Sequence, residues 1–281
     1  METEKSYIDI HSHILPEMDD GPPSLEAAVA LAQAFVEKGF RTVIATPHCT
    51  EGSPSVEAIM AAVEALNRAL SDRRIPLRVL PGAEHALEPR LMERLAQGAL
   101  LTLNRGRYLL IELPLLQPLP PYTRDMLFAL RAHGYYPLLA HPERVKAFQD
   151  DLALLAATIR SGAYAQLTLG SLTGAMGPEA HRTAAAMLKG NLVHFLATDA
   201  HRPGVRLDET ERAARLLEQA VGAGSAAFFL KKRPLELLND RPVAVPDRAA
   251  TAAERERSER GKRWHRFPII SKLFAGSEHR N

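Results

Sequence analysis

The chain has 281 residues, of which 46% are hydrophobic and 24% are charged, a composition typical of a globular protein with a substantial core. A formal net charge of only +2 is not typical of a nucleic-acid-binding surface, and no apolar run is long enough for a transmembrane helix. The N-terminal segment lacks the apolar stretch of a signal peptide, and the single cysteine, Cys49, cannot form an internal disulfide. We therefore expect a cytoplasmic protein.

Seven short apolar runs alternate with segments whose apolar residues recur at helical spacing. Ser24 is placed to cap the first of these helices, and Gly39 is placed to end it. Seven strand-then-helix units predict an α/β fold with a parallel sheet and helices outside it. A distorted (β/α)7 barrel is the closed form of this pattern, and a doubly wound open sheet is the alternative. The runs lie at 7–10, 42–46, 77–82, 108–113, 136–141, 164–169 and 193–198.

The barrel is predicted to occupy residues 1–245, followed by a C-terminal tail over residues 246–281. The tail is rich in Arg and Lys and carries a short apolar cluster that includes Trp264, Phe267 and Phe274. We interpret it either as a flexible, disordered segment or as a segment that docks on the barrel or a neighbouring subunit. Contact with an anionic membrane surface is the alternative.

Polar side chains follow six of the seven apolar runs, at the point where each predicted strand ends. Because the carboxyl ends of parallel strands meet on one side of the sheet, we expect these side chains to lie close together. Side chains two residues apart in a strand point to the same face, so His11 and His13 can reach one metal ion. The candidate ligands are His11, His13, Asp20, His48, Glu84, Glu112, His141, Asp199 and His201.

This set holds five imidazoles and four carboxylates, which is more than one tetrahedral metal ion needs. Imidazole and carboxylate ligands without cysteine suit Mn, Fe or Zn. The number of ligands favours two or three metal ions that share a bridging carboxylate. Such a centre is typical of enzymes that hydrolyse phosphate esters, in which one metal lowers the pKa of a water and others hold the phosphate.

Seven segments of the chain together resemble the PHP (polymerase and histidinol phosphatase) superfamily. Within it, the chain is most similar to bacterial metal-dependent protein-tyrosine phosphatases of the capsule and exopolysaccharide type, the CpsB/YwqE family. The resemblance implies a distorted (β/α)7 barrel with a trinuclear site. The matching segments are IDIHSHILPEMDDG, GFRTVIATPH, GAEHAL, LLIELP, LAHPER, QLTLGSLTGAMG and VHFLATDAH.

The resemblance also implies a division of the ligands among three metals. His11, His13, Glu84 and Asp199 would hold the first, and Glu84 would bridge to a second that Glu112 and His141 complete. The third would be held by Asp20, His48 and His201. Arg144 and Arg206 match arginines that bind the phosphate, for which a guanidinium fork is well suited.

The expected activity is hydrolysis of phosphotyrosine in proteins by attack of a metal-activated hydroxide, in the regulation of polysaccharide biosynthesis. The cofactors are two to three divalent ions, taken as Mn with Fe or Zn as alternatives. A bacterial tyrosine kinase is an expected partner, nucleic acid is not, and an oligomer is left open. Two alternatives keep the same site: a phosphatase of a small ester such as histidinol phosphate or a nucleotide, and a catalytically silent metal-binding adaptor.

Several other residues of types that can bind metals or act as nucleophiles are not predicted to be ligands or catalytic groups. A cysteine-dependent phosphatase needs an arginine six residues after its nucleophile, but Ser55 occupies that position after Cys49, which excludes the mechanism. Asp19 is interpreted as a turn residue or as support for a ligand, and Asp9 as possible support for His11 and His13. His85, next to Glu84, is interpreted as support for a ligand or as structural, and three further histidines are interpreted as structural: His133, His181 and His194.

Overall fold

The computed structural model describes residues 6–51 and 53–243, so the predicted tail over 246–281 lies outside the described residues. The strands are β1 (Tyr7–Ser12), β2 (Phe40–Ala45), β3 (His48–Cys49), β4 (Arg78–Pro81), β5 (Glu84–Ala86), β6 (Tyr108–Glu112), β7 (Tyr136–Ala140), β8 (Tyr164–Thr168) and β9 (Phe195–Ala197). The α-helices are α1 (Leu25–Glu37), α2 (Val56–Asp72), α3 (Leu91–Ala96), α4 (Thr123–Ala132), α5 (Lys146–Asp150), α6 (Leu152–Arg160), α7 (Leu169–Thr173), α8 (Pro178–Lys189), α9 (Val205–Asp208), α10 (Thr210–Ala220), α11 (Ser225–Ala227) and α12 (Arg233–Leu238). Leu103–Arg105 and Pro142–Arg144 form 3-10 turns, and Phe228–Lys232 is π-helical.

The strands are all parallel and form two sheets, with the orders β1-β2-β4 and β3-β5-β6-β7-β8-β9. These sheets are successive parts of one wall, because β3 follows β2 after two residues and β5 follows β4 after two residues. The second interruption contains Gly82, where an added Cβ would lie only 2.8 Å from a methyl group of Ile44. The close approach of these two chain segments therefore requires a glycine.

The wall closes between β9 and β1, although by a short contact. Ser12 and Ala200 form a parallel bridge, the Asp199 N–H donates to the His11 carbonyl over 3.0 Å, and the His13 N–H donates to the Ala200 carbonyl over 2.9 Å. Counting β2 with β3 and β4 with β5, the barrel has seven strands at the seven predicted runs. The predicted distorted (β/α)7 barrel is confirmed, and the open doubly wound sheet is not formed.

The strands have one face in the barrel and one face under the helices, because successive strand side chains alternate. Along β6, Tyr108 and Leu110 pack in the barrel interior, while Leu109 and Ile111 belong to the cluster shared with the helices. The segment after α12 lies at the amino end of the barrel, where the Tyr108 hydroxyl donates to the Arg241 carbonyl over 2.8 Å. The lower interior is therefore apolar and filled, which leaves the carboxyl end for polar side chains.

Helix α1 begins and ends as its sequence predicts. The Ser24 hydroxyl accepts a hydrogen bond from the Ala27 N–H, and Gly39 follows the helix with a left-handed φ of 91°. The buried side of α1 packs in the cluster that covers β2 and β4. Within the described ranges, no helix is long and apolar enough to cross a membrane.

His194 precedes β9, and its imidazole is a buried structural group, as predicted. Its Nδ1 accepts a hydrogen bond from the Ala165 N–H over 3.1 Å, and the side chain is 1% exposed. Burial, with the Arg233 charge as a smaller cause, lowers the pKa of His194 to about 3. The unfolded chain, in which His194 has its ordinary pKa of about 6.5, then binds more protons than the folded chain between these two values.

We expect His194 to make the protein less stable as the pH falls below about 6.5. The contribution of His194 to the free energy of unfolding is complete above that pH. It decreases at up to about 1.4 kcal/mol per pH unit down to about pH 3. In His194→Asn, the amide oxygen can replace Nδ1 as acceptor but does not titrate. Urea unfolding of metal-free protein at about pH 7.5 and 5.5 should show about 1.4 kcal/mol more loss in the wild type than in the variant. Equal losses would contradict this role.

Candidate metal centre

The carboxyl end of the barrel brings the nine predicted ligands together, and four of the five imidazoles approach the carboxylate of Glu84. Glu84 opens β5, where its backbone N–H donates to the Pro47 carbonyl over 3.0 Å, and its side chain is fully buried. Its Oε1 lies 3.1 Å from His141 Nε2, and its Oε2 lies 3.1 Å from His48 Nδ1. Among the described residues, neither oxygen has a partner with hydrogen-bond geometry. A buried carboxylate faced by nitrogens in this way fits coordination to cations.

His11, His13 and Glu84 form the first group of candidate ligands. His11 Nε2 and His13 Nε2 lie 3.2 Å and 3.3 Å from Glu84 Oε2, and 3.3 Å from each other. Asp199 Oδ1 approaches the same two nitrogens, at 3.6 Å from His11 and 3.4 Å from His13. The set that the resemblance implies for the first metal therefore lies in one place.

A second group surrounds the other side of Glu84 and includes Glu112 at the end of β6. Glu112 Oε1 lies 3.7 Å from His141 Nε2, which agrees with the set expected for the second metal. Glu112 Oε2 also lies 3.6 Å from His48 Nδ1, and His48, Glu84 and Glu112 have ligand atoms within 4.8 Å of one another. His48 thus lies between the second group and the third.

The third group contains Asp20, His48 and His201, as the resemblance implies, together with His13. Their ligand atoms lie within 4.8 Å of one another. Asp20 Oδ1 is 3.0 Å from His201 Nε2 and 3.7 Å from His48 Nε2. The imidazoles of His13 and His201 stack with centroids 3.9 Å apart. The division of ligands among three ions remains a prediction, since His13 and His48 each belong to two groups.

The local backbone around the ligands departs from regular strand geometry. The pairing of β1 with β2 shifts register between Asp9 and Ser12, at His11. His141 and Asp199 have left-handed φ values of 31° and 54°, which non-glycine residues adopt at an energetic cost. An added Cβ at Gly21 would lie 2.4 Å from the His13 carbonyl oxygen, so this position must be glycine for the Asp20 loop to reach His13.

The electrostatics of the chain without metal show why a cation fits. Burial by itself lowers the pKa of His11, but Glu84 and Asp199 outweigh it and raise this pKa to about 9. Burial likewise opposes a proton on His13, but the neighbouring carboxylates of Asp19, Asp199 and Glu84 outweigh it and raise the pKa of His13 well above the usual value. Protons on these imidazoles compensate the buried carboxylates, and a bound metal would replace those protons with its own charge.

Arg144 and Arg206 lie at the edge of the group, from the turn after β7 and from α9. Arg144 Nη1 is 2.9 Å from Asp199 Oδ2, and Arg206 Nη1 is 2.8 Å from Asp199 Oδ1. Arg206 also contacts the Asp199 carbonyl and lies 2.8 Å from His201 Nδ1. Their side chains are 23% and 26% exposed, so the guanidinium groups are accessible from solvent. Both arginines therefore border the candidate metal ligands on the solvent-accessible side of the group.

Three residues that could not be identified as supports from the sequence hold the candidate ligands in place. Asp19 accepts hydrogen bonds from His13, His48 and Gly21, so it is both a turn residue and a support. Gln166, on the strand without a predicted ligand, accepts from His11 Nδ1 over 2.8 Å. The available signal for Gln166 was one amide in an otherwise apolar strand.

Glu143, also missed, accepts from the Thr168 N–H over 3.0 Å and the Ser171 hydroxyl over 2.7 Å. It thereby joins the turn that carries Arg144 to the start of α7, in the Gly-rich segment after β8. The Asp9 carboxylate makes its hydrogen bonds to Thr198 and not to the imidazoles of His11 and His13. It accepts from the Thr198 N–H over 3.0 Å and also from the Thr198 hydroxyl. Asp9 therefore supports the loop that leads to Asp199.

The Cys49 side chain is directed away from His48, as alternation along a strand requires. Its Sγ lies 3.4 Å from Arg94 Nη2 of α3, an arginine that the loop sequence after Cys49 does not reveal. The cysteine is nevertheless buried, at 2% exposure, on the helix-covered side of the wall. A nucleophile needs access to the substrate, so the exclusion of a cysteine mechanism agrees with the structure.

Comparison with known proteins places the chain among bacterial tyrosine phosphatases. Tyrosine-protein phosphatase YwqE of Bacillus subtilis is 39% identical over 234 residues, which cover 83% of this chain and 92% of YwqE. Tyrosine-protein phosphatase CpsB of Streptococcus pneumoniae is 27% identical over 246 residues, which cover 84% of this chain and 100% of CpsB.

Solved structures agree with the barrel fold. A structure from the metal-dependent tyrosine phosphatases YwqE of Bacillus subtilis and CpsB of Streptococcus pneumoniae matches with a TM-score of 0.81 at 36% identity, covering 85% of this chain and 97% of that one. A lactonase from Listeria monocytogenes matches in fold alone, with a TM-score of 0.52 at 12% identity over 85% of this chain and 96% of its own. The family model for capsular polysaccharide synthesis, CpsB/CapC, matches residues 7–239. The chain therefore belongs to the CpsB/CapC family.

Proposed function

We propose that this protein is a metal-dependent protein-tyrosine phosphatase. The observation that carries the proposal is the clustering of five imidazoles and four carboxylates, with Glu84 among them, and two arginines at the edge of the same group. The relatives named tyrosine-protein phosphatases and the metal-dependent structural match support the same activity. The nine residues are proposed as ligands of two to three divalent ions, with Mn as the ion and Fe or Zn as alternatives.

The candidate ligands and the two arginines have different roles in the proposed reaction. Bound divalent ions supply a water of lowered pKa and neutralise charge on the phosphoryl group. Glu84 holds the centre together, because both of its oxygens face ligand nitrogens from different strands. Arg144 and Arg206 bind and orient the phosphate through charge-assisted hydrogen bonds.

Phosphotyrosine in a protein is the proposed substrate, rather than a small phosphate ester. A tyrosyl leaving group has a pKa of about 10, so it needs less protonation than an alkoxide, and electrostatic stabilisation can supply most of the rate enhancement. The family's place in capsular polysaccharide synthesis supports a role in regulating that process. A bacterial tyrosine kinase as partner and a cytoplasmic location belong to the same proposal.

Metal removal is expected to abolish the activity. Protein reconstituted with Mn²⁺ should hydrolyse p-nitrophenyl phosphate and a phosphotyrosine peptide, and chelation should reduce both rates to background, because no side chain replaces the ions. Cys49→Ala should retain activity and metal content, since the thiol lies on the other side of the wall. Activity that survives complete chelation, or activity lost in Cys49→Ala with metal content intact, would contradict the proposal.

A substrate panel separates the proposed function from its alternatives. We expect a higher kcat/KM for a phosphotyrosine peptide than for histidinol phosphate or a nucleotide, measured with the same metal-loaded protein. The reverse preference would support the small-ester alternative. Metal content well below two ions per chain, with no turnover of any of these esters, would support the adaptor.

A further inference from the structure

We propose that Asp19 and Gln166, neither of which is a candidate ligand, are positioning residues that select the ligating nitrogen of His13 and His11. The inference deepens the proposed function, because it concerns how the same metal centre is assembled. It rests on the hydrogen bonds that each residue makes to Nδ1 of one histidine. A hydrogen bond to one ring nitrogen decides which of the two nitrogens is free to bind a metal.

Asp19 determines the orientation of His13. Its Oδ2 lies 2.6 Å from His13 Nδ1 and also accepts the His48 N–H over 2.9 Å. A carboxylate oxygen that accepts hydrogen bonds cannot donate one, so the proton of this contact belongs to His13 Nδ1. Nε2 of His13 is then the nitrogen that loses its proton and offers a lone pair when a cation binds.

Gln166 determines the orientation of His11 in the same way, but through a neutral group. Its Oε1 lies 2.8 Å from His11 Nδ1 and accepts the His141 N–H at 3.4 Å. The second bond identifies the amide oxygen, since an NH₂ group at this position would face the His141 N–H. His11 Nδ1 is therefore the donor, and its Nε2 is the nitrogen that offers a lone pair when a cation binds.

The result is a pair of lone pairs directed at the same place. The two Nε2 atoms are 3.3 Å apart, and both face Glu84 Oε2 and Asp199 Oδ1. Rotation of either ring by 180° would put Cε1 in the place of Nε2 and Cδ2 in the place of Nδ1, so the centre would lose its ligating nitrogen and the hydrogen bond at the back would break. Asp19 and Gln166 therefore make this arrangement the stable one before any cation binds.

Asp19 has a second effect that Gln166 lacks, because its carboxylate joins three ligand-bearing segments. Its Oδ2 holds the His13 ring and the backbone of His48, and its Oδ1 accepts the Gly21 N–H over 2.9 Å next to Asp20. Asp20, His48 and His13 all belong to the third group of candidate ligands. We therefore expect changes at Asp19 to weaken more than one metal site, and changes at Gln166 to weaken chiefly the first.

Matched substitutions at Gln166 test whether the acceptor matters. Gln166→Leu removes the acceptor at similar volume, and Gln166→Glu restores an oxygen at the same position. We expect Gln166→Leu to bind Mn²⁺ about ten- to hundredfold more weakly than wild type, and Gln166→Glu to recover most of that loss. Titration of metal-free protein measures the affinity without any substrate. Gln97→Leu, on the exposed end of α3, is the control and should bind metal as wild type does.

The corresponding pair at Asp19 is Asp19→Asn and Asp19→Ala. Asn keeps an oxygen for His13 and His48 but turns an NH₂ group toward the Gly21 N–H, so we expect a partial loss of Mn²⁺ affinity. Asp19→Ala should lose more of this affinity. The number of ions bound should fall as well as the affinity. Asp151→Asn, at the N-cap of α6 away from the site, controls for the chemical change.

The wild-type protein gives a test that does not depend on a variant folding. Long-range proton–nitrogen NMR spectra of the Zn²⁺-loaded protein should show protons on Nδ1 and ligation through Nε2 for both His11 and His13. Ligation through Nδ1 of either ring would overturn the inference, and so would unchanged Mn²⁺ affinity in Gln166→Leu and Asp19→Ala. If wild-type protein binds no metal, the proposed function fails instead, which keeps the two failures distinct.

Discussion

Glu84→Gln is expected to reduce phosphotyrosine hydrolysis by at least about 10³-fold, or about 4 kcal/mol in activation free energy. The reason is that Glu84 is fully buried and each of its two oxygens closely approaches an imidazole from a different strand, with His141 at 3.1 Å on one side and His48 at 3.1 Å on the other. An amide keeps the shape but replaces one negative oxygen with an NH₂ group, which cannot coordinate a cation. Metal analysis should show that the variant holds fewer ions than the wild type, because the first two groups both lose their shared ligand.

Glu88→Gln is the matched control, since it makes the same chemical change four residues later on the same segment. Glu88 accepts a hydrogen bond from the Glu51 N–H and pairs with Arg94, and it is not one of the grouped candidate ligands. We expect wild-type activity and metal content for this variant. A Glu84→Gln protein that retains full metal content and activity would show that the centre does not depend on a bridging carboxylate.

The barrel and the positions of the ligands could be predicted because both depend on local periodicity. Each strand is a short apolar run, and in a parallel barrel the residue that follows each run must lie at the same mouth, which is why Glu112 and His141 could be identified without a structure. The roles of Gln166 and Asp19 could not be predicted in this way. They depend on which side chains from different strands meet, and a single sequence does not contain that information.

The sharing of candidate ligands between groups also could not be predicted from the sequence. His13 and His48 each lie within reach of two groups, next to a register shift in β1 and a loop in which Gly21 lies close to His13. Both features are tertiary consequences of small residues and irregular pairing, and neither produces a periodic signal. The resemblance to a known family supplied the division into three metals, whereas the residues alone indicated only two or three.

Arg144→Ala and Arg206→Ala are each expected to lower kcat/KM for a phosphotyrosine peptide by about 10²-fold. A guanidinium group donates two hydrogen bonds in one plane to phosphate oxygens, and a methyl group leaves that charge uncompensated. Lys at either position should recover only part of the loss, because an ammonium group supplies charge without the planar fork. Arg182→Ala, which removes an exposed arginine paired with Glu179, should have no effect on the rate.

The contacts with Asp199 make the metal content of these variants as informative as their rates. Both arginines pair with this carboxylate in the structure, so they either bind the phosphate or hold a metal ligand in place. If they bind phosphate, the Ala variants keep their metal and bind inorganic phosphate more weakly. If they hold Asp199, metal affinity falls together with activity, and phosphate affinity per metal-loaded protein does not change. We expect the first pattern, because the side chains remain accessible to solvent while Asp199 is buried. The double variant should then deviate from the product of the two single effects, since both groups contact one phosphate.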